Sequence, residues 1–538
     1  MGFATNEKLR AMITGKNLIG YSLSGKSNKI FTGQGGSVKE INVVFHEADA
    51  EEIHQAVTKA NAAFNIYRHF SSERKIAFLE NIALKLAASK DSIIKITAQE
   101  TLLSLNRLEG EMQRTINQVK LFANLLKEGS WVNAIIDTAN PDRLPLPKPD
   151  IRQMQIAIGV VGVFGASNFP FAFSVAGGDT VSALAASCTV VYKAHPGHPA
   201  TSELVGNIII DAAKETEMPE GIFSLLQSAS HESGINLVEH PLIKAIAFTG
   251  SFAGGKALYN AASKRDEPIP VYAEMGSINP VFILPEIIAQ NSSALADKLA
   301  ASNTLSAGQF CTNPGVIISL ESKKTDEFLS HFASDITNAS AECMLTDKIW
   351  KGYYTGIEKL SAMADVEIMT SNLKEEKENV AVPYMFKTPA SVFLQNDELL
   401  EEVFGPSSVH VIAGNKNDLF AIAEKLQGQL TVSVWGTDND LTNYHDLLKI
   451  LELKAGRIIC NGVPTGVEVT HAMVHGGPYP ATTDSRTTSV GTNAIYRFTR
   501  AVCYQSYPQN LLPGALQNEN PLKILRKVNG EFTRESIS

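Results

Sequence analysis

A cysteine, a glutamate and an asparagine stand in short segments of the 538-residue sequence whose side chains could act on a carbonyl carbon. Cys311 lies in Gly308-Gln309-Phe310-Cys311-Thr312-Asn313. A lone cysteine is either a small buried hydrophobe or, where its surroundings favour the thiolate, a nucleophile. Glu274, in Tyr272-Ala273-Glu274-Met275-Gly276, is an acid among apolar and small residues and reads as a solvated carboxylate or as a general base. Asn168, in Gly165-Ala166-Ser167-Asn168-Phe169-Pro170, is a turn residue before proline or an amide donor for developing negative charge. A fourth segment, Phe248-Thr249-Gly250-Ser251-Phe252-Ala253-Gly254-Gly255, follows the strand-like Ala245-Ile246-Ala247. Glycines between a strand and a helix let backbone N–H groups approach a phosphate, although the spacing is not GxGxxG and serves a structural turn equally well.

Composition narrows what these residues can belong to. Hydrophobic residues make up 44% and charged residues 19%, the balance of a globular enzyme and not of a disordered chain. The net charge of −9 provides no overall basic field for nucleic acid or an acidic membrane. The five cysteines are odd in number and scattered, with no CxxC pair, so neither a disulfide framework nor a zinc site is indicated. No apolar signal segment opens the sequence, and the longest apolar runs, near 156–166 and 183–192, are too short to span a bilayer. A soluble, cytoplasmic protein is expected.

The elements that must position the candidate residues show in the hydrophobic pattern. Ile53, Ala56, Val57, Ala60, Ala63 and Phe64 mark one face of a helix over 48–70. Ser71 and Ser72 offer caps for a second helix carrying Ile76, Leu79, Ile82 and Leu86, and helix continues to about Lys127. Four prolines within 140–150 break this texture. Short β-branched runs then alternate with helical segments to about Thr249, and again from Ser277 to about Gly462. Such alternation predicts α/β architecture with doubly wound parallel sheets. The polar, Asn-rich stretch after about Gln509 reads as an extended tail.

Taken in order, these segments resemble the aldehyde dehydrogenase superfamily from about Val43 to Pro513. Ser167-Asn168-Phe169-Pro170 stands where the family usually has WNFP, and VVYKAHP matches the strand that ends in its cofactor lysine, here Lys193. FTGS, AEMGSINP, GQFC and Glu401-Glu402-Val403-Phe404-Gly405-Pro406 follow in the family's order. The resemblance implies a Rossmann-type cofactor domain, an α/β catalytic domain and a small β-arm for oligomerisation. It also implies a reaction. A Cys311 thiolate attacks an aldehyde, Asn168 and a backbone N–H hold the oxyanion, hydride passes to NAD(P), and Glu274 activates the water that hydrolyses the thioester. Lys193 and Glu402 would hold ribose hydroxyls, Phe404 would touch the nicotinamide, and Gly250, Ser251, Gly255 and Gly276 would form the rest of the cofactor surface.

Departures from the family pattern refine the expectation. NAD-preferring members often carry an acid three positions after the lysine; here the residue is Pro196, and Lys193 and His195 could attract a 2′-phosphate, so NADP is expected over NAD. Members that pass the acyl group to coenzyme A usually lack the base, and Glu274 favours hydrolysis. The segment from Gly466 to Tyr479, with FPFAFSVAGGDT and the ending from Asn520 to Gly530, resembles the α-ketoglutaric semialdehyde (2,5-dioxopentanoate) dehydrogenases and a bacterial long-chain aldehyde dehydrogenase. The expected reaction on that ground is 2,5-dioxopentanoate to 2-oxoglutarate, with a long-chain or other aldehyde of the same subgroup, or a member of the fold that has lost the chemistry, as the alternatives. By the same resemblance His475 lines the substrate pocket and tunes Cys311, or is a core or loop histidine. The arginine that pairs a substrate carboxylate in succinic semialdehyde dehydrogenases would fall at Ala176, so a dicarboxylic semialdehyde needs another cation. The expected domains are 40–140 with 160–276 for dinucleotide binding, 277–480 for catalysis, 141–159 with 481–510 as the oligomerisation arm, and 511–538 as a tail. The expected partners are a small aldehyde and further copies of the chain in a homodimer or homotetramer.

Overall fold

The computed structural model describes residues 13–36, 43–371 and 377–537. The first twelve residues, positions 40–42 of the expected dinucleotide segment, 372–376 of the catalytic segment and Ser538 lie outside that part. Three long helices lead into the sheets: α1 (Ala50–Tyr67), α2 (Ser72–Thr101) and α3 (Leu105–Glu128). A capping box starts α1, where the Asp49 carboxylate accepts from the Glu52 N–H and the Glu52 carboxylate accepts from the Asp49 N–H. Ser71 occupies the N-cap of α2 without a side-chain cap bond, and that helix stops at Leu102 in the left-handed region, φ 56°. The Ser104 hydroxyl caps α3, and Gly129 ends it at φ 81°.

Beyond them the chain forms a seven-stranded sheet from β1 (Asn17–Ile19), β2 (Ser22–Ser24), β3 (Val160–Phe164), β4 (Thr189–Lys193), β5 (Phe223–Leu226), β6 (Ile243–Thr249) and β7 (Val271–Glu274). Its order is β7-β6-β3-β4-β5-β1-β2, parallel from β7 to β5, with the N-terminal hairpin antiparallel at one edge. Chain order therefore reverses between β3 and β6, the switch point at which doubly wound sheets open a crevice at the strands' carboxyl ends. Register brings the ends level: Phe164 pairs Lys193, Phe248 pairs Phe164, and Thr249 pairs Glu274.

A second seven-stranded sheet contains β8 (Val281–Ile283), β9 (Val316–Leu320), β10 (Glu367–Ile368), β11 (Tyr384–Pro389), β12 (Ser407–Ala413), β13 (Gln429–Trp435) and β14 (Ala455–Cys460). They lie in the order β10-β11-β12-β9-β8-β13-β14, parallel throughout except for β10. Both sheets are buried on two faces, which is why their strands read as continuous apolar runs. Among the described residues no helix is long and apolar enough to cross a membrane.

The third sheet has five strands: Thr499–Gln505, Ile151–Ala157, Ile135–Asp137, Arg526–Val528 and Glu531–Thr533, in that order. The ending read as an extended tail folds back into the last two of these. Leu512, Ala515, Leu516 and Ile524 pack with Ala134 and Ile136. Buried Arg526 donates to the carbonyls of Gln517, Asn518 and Glu535, and Asn520 donates to those of Ile524 and Arg534. These polar side chains satisfy backbone carbonyls inside a small core, so polarity here marks hydrogen bonding and not solvation.

One buried ion pair ties the sheets' periphery together. Arg497, in the turn Thr492–Phe498, donates from Nη1 to Oδ1 of Asp179 at 3.0 Å; Asp179 lies on α4 (Gly178–Ala185). Side-chain exposure is 1% for the arginine and 10% for the aspartate. Removing one partner leaves the other charge buried, so Asp179→Asn should cost about 3 kcal/mol. Thermal unfolding followed by fluorescence should show the midpoint several degrees lower; an unchanged midpoint would mean that the pair contributes nothing.

Candidate active site

Asn168 sits in the loop that leaves β3 at the switch point. A carboxylate on α3 fixes this loop: Oε1 of buried Glu111 accepts from the N–H groups of Phe171 and Ala172 at 2.8 and 2.9 Å. Arg107, one turn earlier on α3, donates from Nη2 to the Asn168 carbonyl at 2.6 Å. The Asn168 amide donates to the Gln309 carbonyl at 3.1 Å, and Phe169 meets Phe310 edge-on at 5.4 Å. The oxyanion-type amide and the cysteine loop are therefore in direct contact.

The cysteine loop is strained on its approach. Ser306, Ala307 and Gly308 are all left-handed, at φ 51°, 55° and 62°. A Cβ at Gly308 would lie 2.4 Å from the Gly405 carbonyl carbon, so the loop's passage against the 401–406 segment requires glycine there. Beyond it, Asn279 donates from Nδ2 to the carbonyls of Cys311 and Asn313 at 2.9 and 3.0 Å, and Asn313 donates to the Gly405 carbonyl at 3.0 Å. These bonds fix the backbone on both sides of the sulfur.

His475 Nε2 stands between the other two groups, 3.4 Å from Cys311 Sγ and 2.8 Å from Glu274 Oε1. Both His475 and Glu274 are 1% exposed, whereas Cys311 is half-buried. The remaining carboxylate oxygen of Glu274 accepts from the Ser489 hydroxyl at 2.7 Å. The histidine backbone is held by Thr488 and Ser489: its N–H donates to Thr488 Oγ1 at 2.8 Å, and its carbonyl accepts from the Ser489 N–H at 2.9 Å. Burial favours the neutral acid at Glu274, but the imidazole and the Ser489 hydroxyl outweigh it and hold the carboxyl below its usual range. The Cys311 thiol is pushed well above its usual range, by burial first and then by Glu274 and Glu402, with Arg114 opposing. The sulfur and the carboxylate meet the same ring nitrogen, Nε2, while Nδ1 has no partner among the described residues. The ring therefore donates to Glu274 and packs against the sulfur, and the carboxylate is the base of the site.

The residues expected at a cofactor line the same crevice. Lys193 ends β4 directly beside Phe164, and burial lowers its ammonium to about 8. Ser251 caps the helix Phe252–Ser263, its hydroxyl accepting from Gly254 N–H at 3.3 Å, and Gly250 precedes it in the turn. Gly255 follows in the first turn, against Met275. Glu402 lies across Gly276, where a Cβ would come within 2.6 Å of its Oε2, and Phe404 is half-buried in the same segment. Pro196 gives its carbonyl to the Gln34 N–H at 2.7 Å. His195 accepts the Gly197 N–H at Nδ1, 3.0 Å, and stacks on His198. Burial drives His195 well below its usual range, and His198, Lys193 and Lys348 act in the same direction. Burial thus disfavours positive charge on this ring, beside the ammonium groups of Lys193 and Lys348. A helix N-terminus at a switch point, a lysine at the crevice floor and a carboxylate over a side-chain-free surface suit a dinucleotide.

Several contributors escape sequence reasoning. Lys348, Ser489, Thr488 and Glu111 belong to no motif, and each acts on a residue more than ten positions away.

This crevice, with a thiol, an amide and an acid from separate loops at its mouth, is the arrangement of one oxidoreductase class, and the sequence profile of the aldehyde dehydrogenase family matches residues 37–500. The chain belongs to that family and is an oxidoreductase acting on aldehydes. It is 46% identical over 492 residues to the alpha-ketoglutaric semialdehyde dehydrogenase of Acinetobacter baylyi, covering 91% of this chain and 93% of that protein. To alpha-ketoglutaric semialdehyde dehydrogenase 2 of Azospirillum brasilense it is 43% identical over 521 residues, covering 96% and 99%. Among solved structures, gamma-glutamyl-gamma-aminobutyraldehyde dehydrogenase from Burkholderia cenocepacia superposes with a TM-score of 0.79 at 19% identity, over 93% of this chain and 99% of that one. Apo betaine aldehyde dehydrogenase from Staphylococcus aureus superposes with the same TM-score at 17% identity, over 95% and 100%. These two share the fold.

The electrostatics of the site make one outcome measurable. Glu274→Gln removes the charge that raises the Cys311 thiol, so more thiolate should be present at a given pH. Alkylation by iodoacetamide at pH 8 should then be faster in the variant, and its pH profile displaced to lower pH. Slower alkylation would show that the carboxylate activates the sulfur through His475 instead.

Proposed function

We propose that this protein oxidises 2,5-dioxopentanoate (α-ketoglutaric semialdehyde) to 2-oxoglutarate, with NADP used in preference to NAD. The observation that carries the reaction type is His475 Nε2 lying within contact distance of both Cys311 Sγ and Glu274 Oε1. The substrate assignment is supported by the full-length similarity to two enzymes named for that semialdehyde.

The residues act as follows in this reading. The Cys311 thiol gives its proton to solvent as Sγ bonds to the aldehyde carbon, while His475 Nε2–H donates to the ionised Glu274 and holds it beside the sulfur. Asn168 Nδ2 leaves the Gln309 carbonyl, or shares its second hydrogen, to hold the oxyanion of the thiohemiacetal. Lys193 and Glu402 would hold the ribose hydroxyls of the dinucleotide, Gly250 and Ser251 its pyrophosphate and Phe404 its nicotinamide, which when bound would supply the hydride acceptor for oxidation to the thioester. Glu274 then removes a proton from water as it attacks the thioester carbon, and Cys311 departs as thiolate. Hydrolysis, in place of transfer to coenzyme A, follows from a buried carboxylate kept ionised beside the sulfur.

Two further parts of the reading concern the surroundings. Preference for NADP is supported by Pro196 in place of an acid and by the positive field of Lys193 and Lys348 around a neutral His195. A homodimer or homotetramer is supported by the strand Thr499–Gln505, which stands at the edge of the five-stranded sheet with Arg500, Ala501 and Cys503 exposed.

Asn168→Ala should lower kcat by about 10²–10³-fold, and a loss below tenfold would remove the amide from the oxyanion role. Cys311→Ala should abolish oxidation while titration of NADP by fluorescence remains normal. In a steady-state panel of NAD and NADP against 2,5-dioxopentanoate, succinic semialdehyde and a long-chain aldehyde, the first with NADP should give the highest kcat/KM. A higher value for the long-chain aldehyde would overturn the substrate assignment.

A further inference from the structure

A dicarboxylic semialdehyde brings a second anion into the pocket, and Ala176, at the position where an arginine could meet it, is buried and apolar. The structure holds a different cation on the pocket side of α3. Arg114 follows Arg107 and Glu111 at helical spacing on one face, so all three point toward the loops of the site. Both terminal nitrogens of Arg114 are buried and have no hydrogen-bond partner, and no carboxylate lies within ion-pair distance among the described residues. A guanidinium with its planar fork unsatisfied is costly unless a ligand completes it.

Its surroundings say which ligand. The guanidinium carbon lies 5.3 Å from the centre of the Phe173 ring, and that ring lies 5.9 Å from the imidazole of His475. One phenyl ring thus separates the cation from the group that touches Cys311. An extended five-carbon chain sets its carboxylate about 5 Å from its aldehyde carbon, so its two ends meet different groups of the pocket. Other arginines near the site have at least one terminal nitrogen bonded. Arg457 donates to the carbonyls of Gly466 and Pro464 from both. Arg107 donates from Nη2 to the Asn168 carbonyl between Phe169 and Phe310, with Nε and Nη1 unpartnered among the described residues. The negative groups acting on Arg114 are Glu111, Cys311, Glu274 and Glu468, none of which closes its fork.

We propose that Arg114 is the specificity-determining residue that takes the distal carboxylate of the semialdehyde, through a bidentate pair from its two terminal nitrogens. This rests on the 2,5-dioxopentanoate reading above. The measurement is the ratio of kcat/KM for 2,5-dioxopentanoate to that for pentanal, a neutral aldehyde of the same length, in wild type, Arg114→Met and Arg114→Lys. The ratio should fall about 100-fold in Arg114→Met, with KM for the anionic substrate carrying the loss. Arg114→Lys should recover part of it. A purely structural role would lower both rates together and leave the ratio unchanged, overturning the proposal, as would a ratio untouched because both rates persist. If wild type itself shows no preference for the carboxylated aldehyde, the substrate reading fails, and the proposal fails with it.

Discussion

The position of one imidazole nitrogen constrains most of this structure. His475 Nε2 can lie between Cys311 and Glu274 only if three separate stretches of chain meet: the carboxyl end of β7, the strained loop before β9, and a segment without regular secondary structure. The last would be the least determinate of the three were it not fastened to the first. Met275 N–H donates to the Ala481 carbonyl, Thr483 N–H donates to that of Ala273, and Thr482 bridges Glu274. The segment thereby extends the edge of the first sheet as a further strand would, and Ser489 completes the tie from the histidine back to the carboxylate. Backbone bonds at a sheet edge, not local propensity, set the ring's position.

A buried carboxylate does comparable work on the other side. Burial raises the Glu111 carboxyl above its usual range, while Arg107, Arg114 and the two loop N–H groups oppose that rise. An acid on a helix face otherwise made of Leu108, Met112, Thr115, Val119 and Phe122 would be destabilising if the helix were merely packed. Its presence is understandable because the loop it receives has no strand to pair with as it turns away from β3. The helix substitutes two charge-assisted bonds for the missing ladder, and so fixes the direction in which Asn168 points.

These two devices also explain what a reader of the sequence can and cannot see. The alternation of β-branched runs and helices identifies the α/β class, because strands buried on both faces leave an uninterrupted apolar signature. Cys311, Glu274 and Asn168 sit in short segments that are ambiguous singly and recognisable when taken together in order. His475 stands out only through an unusual surrounding stretch. Ser489, Lys348 and Arg114 have no local signature, because each is defined by a partner 215, 153 or more positions away, or by having none. The C-terminal strands were hidden for the opposite reason: Arg526 and Asn520 are polar in composition but interior in position.

The adenosine end of the crevice shows how an absent charge can govern a present one. Burial first, and then the positive groups of His198, Lys193 and Lys348, push the His195 ring toward its neutral form. With Nδ1 occupied as acceptor for the Gly197 N–H, the ring's proton belongs on Nε2, available as a donor without adding charge. A carboxylate at position 196 would reverse both conditions, neutralising the lysines and drawing a second proton onto the ring. Pro196 cannot do so. Its carbonyl accepts from the Gln34 N–H, in the turn where His195 stacks on His198. At the other end the Glu274 carboxylate accepts from His475 Nε2, whose ring lies against the sulfur of Cys311.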